Sequence, residues 1–209
     1  MTTRPSHPCS ACGFIHNCIC DHQPNLESQV EFALLYHENE LDKLTNTGRL
    51  LLNGLPKTKS YLWQRKVPPE ALISKIHQEG IEAWLLFPSD APTLSSEYLT
   101  SRDPSKKQLF ILLDATWQEA KKMVNKSPWL KALPCLELTP SEISRYHLRR
   151  NQSQGNLCTC EAGIEVLEMV KEPENAQALF KYYDQFLTVF QAERSGHSYN
   201  SNALGAPKK

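Results

Sequence analysis

Leu109-Phe-Ile-Leu-Leu113, followed at once by Asp114-Ala-Thr-Trp-Gln-Glu-Ala120, is the stretch that decides the fold. Five consecutive apolar residues are too few for a typical helix. They lack the polar alternation of a strand with one wet face, so they read as a strand buried on both sides. Ile81 to Phe87 (IEAWLLF) and Val30 to His37 (VEFALLYH) read the same way, and Ser60 to Gln64 and Cys135 to Leu138 are shorter strand candidates. Helical patterns lie between and after them: a short helix within Thr45 to Leu55, one from Pro68-Pro69 to about Glu79, Thr116 to Asn125, Glu161 to Val170, and Asn175 to Gln191. Gly80 stops the second, and Pro173 separates the last two. Strands alternating with helices predict an α/β fold on a parallel sheet.

Working outward, the bulk numbers allow one domain of ordinary size. The chain has 209 residues, 40% of them hydrophobic and 22% charged. Net charge is zero, yet its distribution is uneven. Between Lys43 and Pro69 lie Lys43, Arg49, Lys57, Lys59, Arg65 and Lys66 and no acidic residue, and a second basic stretch runs from Lys121 to Arg150. Local fields of this kind guide a polyanion better than total charge does. The opening residues lack the apolar core of a secretory signal, and no apolar run reaches membrane-spanning length, so a cytoplasmic protein with no membrane partner is expected. Three regions are expected: residues 1–27 as a Cys-rich element, 28–194 as the α/β domain, and 195–209 as a small, polar, disordered tail.

Cys9, Cys12, Cys18 and Cys20 follow a C-x2-C-x5-C-x-C pattern. Four thiolates suit the tetrahedral preference of zinc, and soft sulfur disfavours magnesium or calcium. An iron–sulfur cluster is the lesser alternative. His7, His16 or His22 could replace one cysteine. A site filled by four protein ligands has no open position, so its expected role is folding rather than chemistry.

Several ordered motifs together carry a family resemblance. Asn46-Thr-Gly-Arg49, Phe87-Pro-Ser89, Asp114-Ala-Thr-Trp117 with Lys126-Ser-Pro128, Tyr146-x-Leu148-Arg149, and Cys158-Thr159-x-Glu161 resemble the blocks of the DTW-domain family, as does the four-cysteine element. The bacterial tRNA-uridine aminocarboxypropyltransferases within it are the most similar. Cys160 stands where the family more often has a small residue, and His37 to Glu40 conforms weakly. The resemblance implies a SPOUT-like sheet with a C-terminal trefoil knot. It also implies S-adenosylmethionine as donor, and transfer of its 3-amino-3-carboxypropyl group to N3 of a tRNA uridine, in the variable loop, with release of methylthioadenosine.

That reaction needs a base for uridine N3. Asp114, at the junction of strand and helix on the usual ligand edge of an α/β sheet, is the candidate. Thr116-x-x-Glu119 is equally a capping box, which explains both residues without catalysis. Pro88, Ser89, Leu113, Asp114, Thr116, Trp117, Cys158 and Thr159 are the candidate donor pocket. Lys57, Lys59, Arg65 and Lys66, interleaved with Tyr61 and Trp63, are candidate RNA contacts, as are Arg145, His147, Arg149 and Arg150. A SPOUT-type RNA methyltransferase, a different RNA substrate, and a non-catalytic zinc-ribbon RNA-binding protein are the competing readings. Monomer and homodimer both remain open.

Overall fold

The computed structural model describes residues 7–88, 105–138 and 157–199. Among them, β1 Glu31–Tyr36, β2 Lys59–Leu62, β3 Ile81–Leu86, β4 Lys107–Asp114 and β5 Cys135–Leu136 form a five-stranded sheet in the order β2-β1-β4-β3-β5. All four pairings are parallel. The expected α/β class on a parallel sheet is therefore what the chain adopts. The described α-helices are α1 Gly48–Gly54, α2 Glu70–Ile76, α3 Trp117–Lys126, α4 Pro128–Lys131, α5 Thr159–Met169 and α6 Pro173–Arg194, with short 3-10 turns at Cys20–His22 and Glu38–Glu40.

Strand alternation sorts the apolar runs onto two faces. Phe32, Leu34, Trp84, Phe110, Leu112 and Leu136 face α1, α5 and α6, in one buried cluster with Leu50, Val166 and Phe186. Ala33, Leu35, Leu85, Leu109 and Ile111 face the other way, onto Leu72 of α2, Met123 of α3 and Leu130 of α4. By the same alternation Asp114 falls on the α1/α5 side. Those two helices approach closely: a Cβ at Gly163 would lie 2.4 Å from Leu51 Cδ2.

The chain leaves β1 through α1 on one face toward the β2 edge. It leaves β2 through α2, and β4 through α3 and α4, on the opposite face toward the β5 edge. Opposite directions through opposite faces give the same crossover hand. It follows that the connections after the neighbouring strands β1 and β4 diverge. In open α/β sheets the crevice outside such a pair of C-terminal ends is the usual ligand site.

Element ends differ a little from expectation. The helix after Pro68-Pro69 stops at Ile76, and Gly80 makes its turn into β3 at φ +76°. Pro173, expected as a separator, is the first residue of α6, where a missing N–H leaves no helical bond unmade. The Cys-rich element packs against α6. Cys12, Phe14 and Ile19 are fully buried in the same cluster as α6, with Phe14 stacked 5.3 Å from Phe186. Residues 195–199 join it: Asn17 Nδ2 donates to the His197 carbonyl at 2.8 Å, and Tyr199 N–H donates to Asn17 Oδ1. No helix among the described residues is long and apolar enough to cross a membrane.

Candidate functional site at the carboxyl edge of the sheet

Asp114 ends β4 opposite Tyr36, the last residue of β1, and its carbonyl accepts the His37 N–H at 3.0 Å. The side chain is only 5% exposed. Oδ2 accepts from Asn46 Nδ2 at 2.8 Å, and Oδ1 accepts from the Thr159 hydroxyl at 2.8 Å. Asn46 is itself fixed. Its Nδ2 also donates to the Glu40 carbonyl at 3.1 Å, and its Oδ1 accepts the Gly48 N–H at 2.8 Å. Gly48 is glycine for want of space, since a Cβ there would stand 2.6 Å from Asp114 Oδ2. One buried carboxylate thus joins the Asn-Thr-Gly-Arg segment, the Asp-x-Thr-Trp turn and the Cys-Thr-x-Glu block. Buried charge is tolerated when it is hydrogen-bonded in this way.

Thr159 is the first residue of α5 rather than its cap. The preceding Cys158 is the cap residue, its N–H donating to Glu161 Oε2 at 3.0 Å. Burial pushes the Cys158 thiol up to about 12, and it donates to Tyr183 OH, so it is a packed thiol rather than a reactive one. In the same first turn the Cys160 N–H donates to Thr47 Oγ1 at 3.3 Å, a further tie between the first and last motif blocks.

The capping box at Thr116 forms in full. Glu119 Oε2 accepts the Thr116 N–H at 2.9 Å and the Thr116 hydroxyl at 2.6 Å. Glu119 Oε1 accepts from Asn39 Nδ2 at 2.6 Å and lies 3.7 Å from His37 Nδ1. Trp117 is 42% exposed, stacked 5.3 Å from Phe87, with Lys121 Nζ 5.2 Å from its ring. Pro88 is exposed beside Phe87 at the end of β3. Leu113 points to the opposite face of the sheet from Asp114, into the α2/α3 cluster. Ser89, Arg145, His147, Arg149 and Arg150 lie outside the described residues.

The basic run around β2 is not brought together. Lys57 and Lys59 sit at the entry of the strand, and Lys57 Nζ is tied to the Ser28 carbonyl at 2.6 Å. Arg65 and Lys66 are exposed past its exit, at the same edge as Asp114. Between them Trp63 is 7% exposed, donates from Nε1 to Ser127 Oγ at 2.9 Å, and stacks on His37 at 5.5 Å. It is a core residue, leaving no face for an RNA base.

The four Sγ atoms of Cys9, Cys12, Cys18 and Cys20 lie within 4.8 Å of one another and could hold a metal ion. Cys9 and Cys20 are 3.5 Å apart, and Cys12 and Cys18 are 3.8 Å apart. Tetrahedral zinc–thiolate bonds give sulfur separations of about 3.8 Å, so the set fits. Backbone N–H groups of Cys12 and Ala11 bring the Cys9 thiol down to about 6, whereas burial pushes Cys12 and Cys20 up. A cation would relieve that penalty. The loop between the cysteine pairs is clamped by Glu193 of α6, whose carboxylate accepts the N–H groups of Ile15, His16 and Asn17 at 2.6, 2.9 and 2.8 Å. Nothing in the local sequence singles out Glu193.

A family model described as the DTW domain matches residues 6–191. The tRNA-uridine aminocarboxypropyltransferase 2 of Drosophila melanogaster is 28% identical over 171 residues, which cover 78% of this chain and 66% of that protein. The chain therefore spans slightly under two thirds of that relative's length. No solved structure matches it.

Proposed function

The chain belongs to the DTW-domain family, and from that membership we propose that it is a tRNA-uridine aminocarboxypropyltransferase with S-adenosylmethionine as donor. N3 of a variable-loop uridine attacks the γ-carbon of the donor's aminocarboxypropyl arm. The new N–C bond forms as the C–S bond breaks, and methylthioadenosine leaves with the electron pair on sulfur. The N3 proton goes to Asp114, whose carboxylate is held in one orientation by Asn46 and Thr159. The observation that carries this reading is that three separated family motifs meet on that carboxylate at the crevice edge of the sheet.

The donor pocket is proposed from Pro88, Ser89, Leu113, Asp114, Thr116, Trp117, Cys158 and Thr159. Arg65 and Lys66, with Arg145, Arg149 and Arg150, are proposed to grip the tRNA backbone, and Lys57 and Lys59 a more distant part of it. Zinc is the proposed ion at the four cysteines. A SPOUT-like trefoil knot and a cytoplasmic location complete the proposal.

Incubation with unmodified tRNA and donor tests it. Methylthioadenosine and an aminocarboxypropyl-uridine by mass spectrometry are expected; S-adenosylhomocysteine would make the enzyme a methyltransferase, and neither product would favour a plain RNA-binding protein. Asp114→Asn should abolish turnover while tRNA binding survives, and unchanged turnover would remove Asp114 from the proton transfer.

A further inference from the structure

We infer that Arg49 is a positioning residue that couples the four-cysteine element to the Asp114 carboxylate. The inference rests on the cysteines holding a metal ion, as proposed above. Arg49 is in the first turn of α1, next to Gly48. Its Nη1 donates to the carbonyl of Cys12 at 3.0 Å, and its Nη2 donates to the carbonyl of Lys43 at 2.9 Å. The Lys43 carbonyl also accepts the Asn46 N–H at 2.9 Å, closing the turn that aims the Asn46 amide at Asp114. One planar cation therefore bridges the backbone of a metal ligand and the backbone of the turn that orients the carboxylate.

The place for the guanidinium is built. Gly13 follows Cys12 at φ +80°, and a Cβ there would lie 1.8 Å from Arg49 Nη1. Only glycine allows both the turn and the close approach. A forked guanidinium spans two carbonyls at once, whereas a lysine ammonium is a point charge on a flexible stem. One helical turn further along α1, Asn53 Nδ2 donates to the Ala11 carbonyl at 3.2 Å, so the helix meets the Cys9–Cys12 turn at two points. A bound metal fixes that turn. Its removal frees the Cys12 carbonyl, and with it the anchor of Arg49, Lys43 and Asn46.

Hydrogen exchange on the full-length protein tests this, in wild type and in Arg49→Lys, each with metal bound and after chelation, with zinc content measured alongside. Arg49→Lys should keep its zinc yet exchange the amides of residues 43–48 about tenfold faster, the effect of one lost hydrogen bond of about 1.4 kcal/mol. Chelating wild type should raise exchange there by a similar factor and leave β3 protected. Chelating Arg49→Lys should add nothing at 43–48. Effects of metal and substitution that multiply would overturn the coupling, as would protection at 43–48 that ignores chelation, or loss of β3 protection in parallel, the mark of a global staple. Should Arg49→Lys not fold, the wild-type arm alone decides by the same criteria. Protein that binds no metal at all would instead overturn the metal reading, and the coupling with it.

Discussion

Gly48→Ala perturbs the carboxylate edge with one methyl group. The added Cβ would stand 2.6 Å from Asp114 Oδ2, 3.0 Å from its Cγ and 3.1 Å from Asn46 Oδ1. An ordinary contact needs about 3.4 Å, so the carboxylate must retreat by about 0.8 Å. It cannot do so freely, because Asn46 and Thr159 hold its two oxygens at 2.8 Å each. Overpacking of this kind costs about 1–3 kcal/mol, and alanine returns up to about 1 kcal/mol of helix propensity over glycine. The net loss of global stability is therefore about 0–3 kcal/mol, and the fold survives. Catalytic geometry is less forgiving: a misplacement near 1 Å lowers turnover by about 100-fold, or about 2.7 kcal/mol of barrier. The assay pairs methylthioadenosine release from tRNA and donor with a urea unfolding curve. Turnover within twofold of wild type in a folded Gly48→Ala protein would refute the reasoning. It would mean that the carboxylate's position does not matter to the reaction.

Three further outcomes are expected. Burial alone would raise the Glu119 pKa, but hydrogen bonds from Thr116 and Asn39, and nearby His37, outweigh it and hold it at about 2, against an ordinary 4.5. A depressed folded-state pKa stabilises above the unfolded value, so this contribution is complete above pH 4.5 and lost as pH falls toward 2. Glu119→Gln should lose about 1 kcal/mol at neutral pH, the usual size of a cap, and flatten the urea midpoint against pH over that window; an unchanged acid slope would contradict it. Arg65→Ala and Lys66→Ala should each weaken tRNA binding and reduce the salt slope by about one, with less effect from Lys57→Ala, whose ammonium is tied to Ser28; equal slopes for all three would remove the directional argument. Elemental analysis of protein purified without chelator should give about one zinc per chain, and iron or no metal would contradict the assignment.

The strands were legible because Leu109 to Leu113 and most of Ile81 to Phe87 are apolar at both parities over strand length, as a sheet covered on both faces requires. Their order was not. β4 enters between β1 and β3, and nothing local to any of these segments says which neighbour it takes. Asp114 stood out as a residue, but its partners are 68 and 45 positions away. Motif blocks reveal that Asn46 and Thr159 belong to the same kind of chain, not that they touch. The run from Lys57 to Lys66 is contiguous in sequence but not in space. A count of charges ignores that a strand runs through it, carrying its two halves to opposite ends of the sheet. Trp63 looks the same in sequence whether its indole N–H meets solvent, RNA or, as found, the Ser127 hydroxyl.

The chemistry of the Asp114 node also explains why its partners come from distant segments. Asn46 offers an amide hydrogen to one oxygen, and Thr159 a hydroxyl hydrogen to the other. The Asn46 amide hydrogen can only be donated, so the oxygen facing it must accept, whereas the Thr159 hydroxyl can donate or accept and here donates. The Asp114 carboxylate accepts from both. The Asn46 carbonyl oxygen is meanwhile committed to Gly48 N–H, which fixes which way that amide faces. The orientation of the Asp114 carboxylate is therefore set by a donor in the turn before α1 and by another at the start of α5.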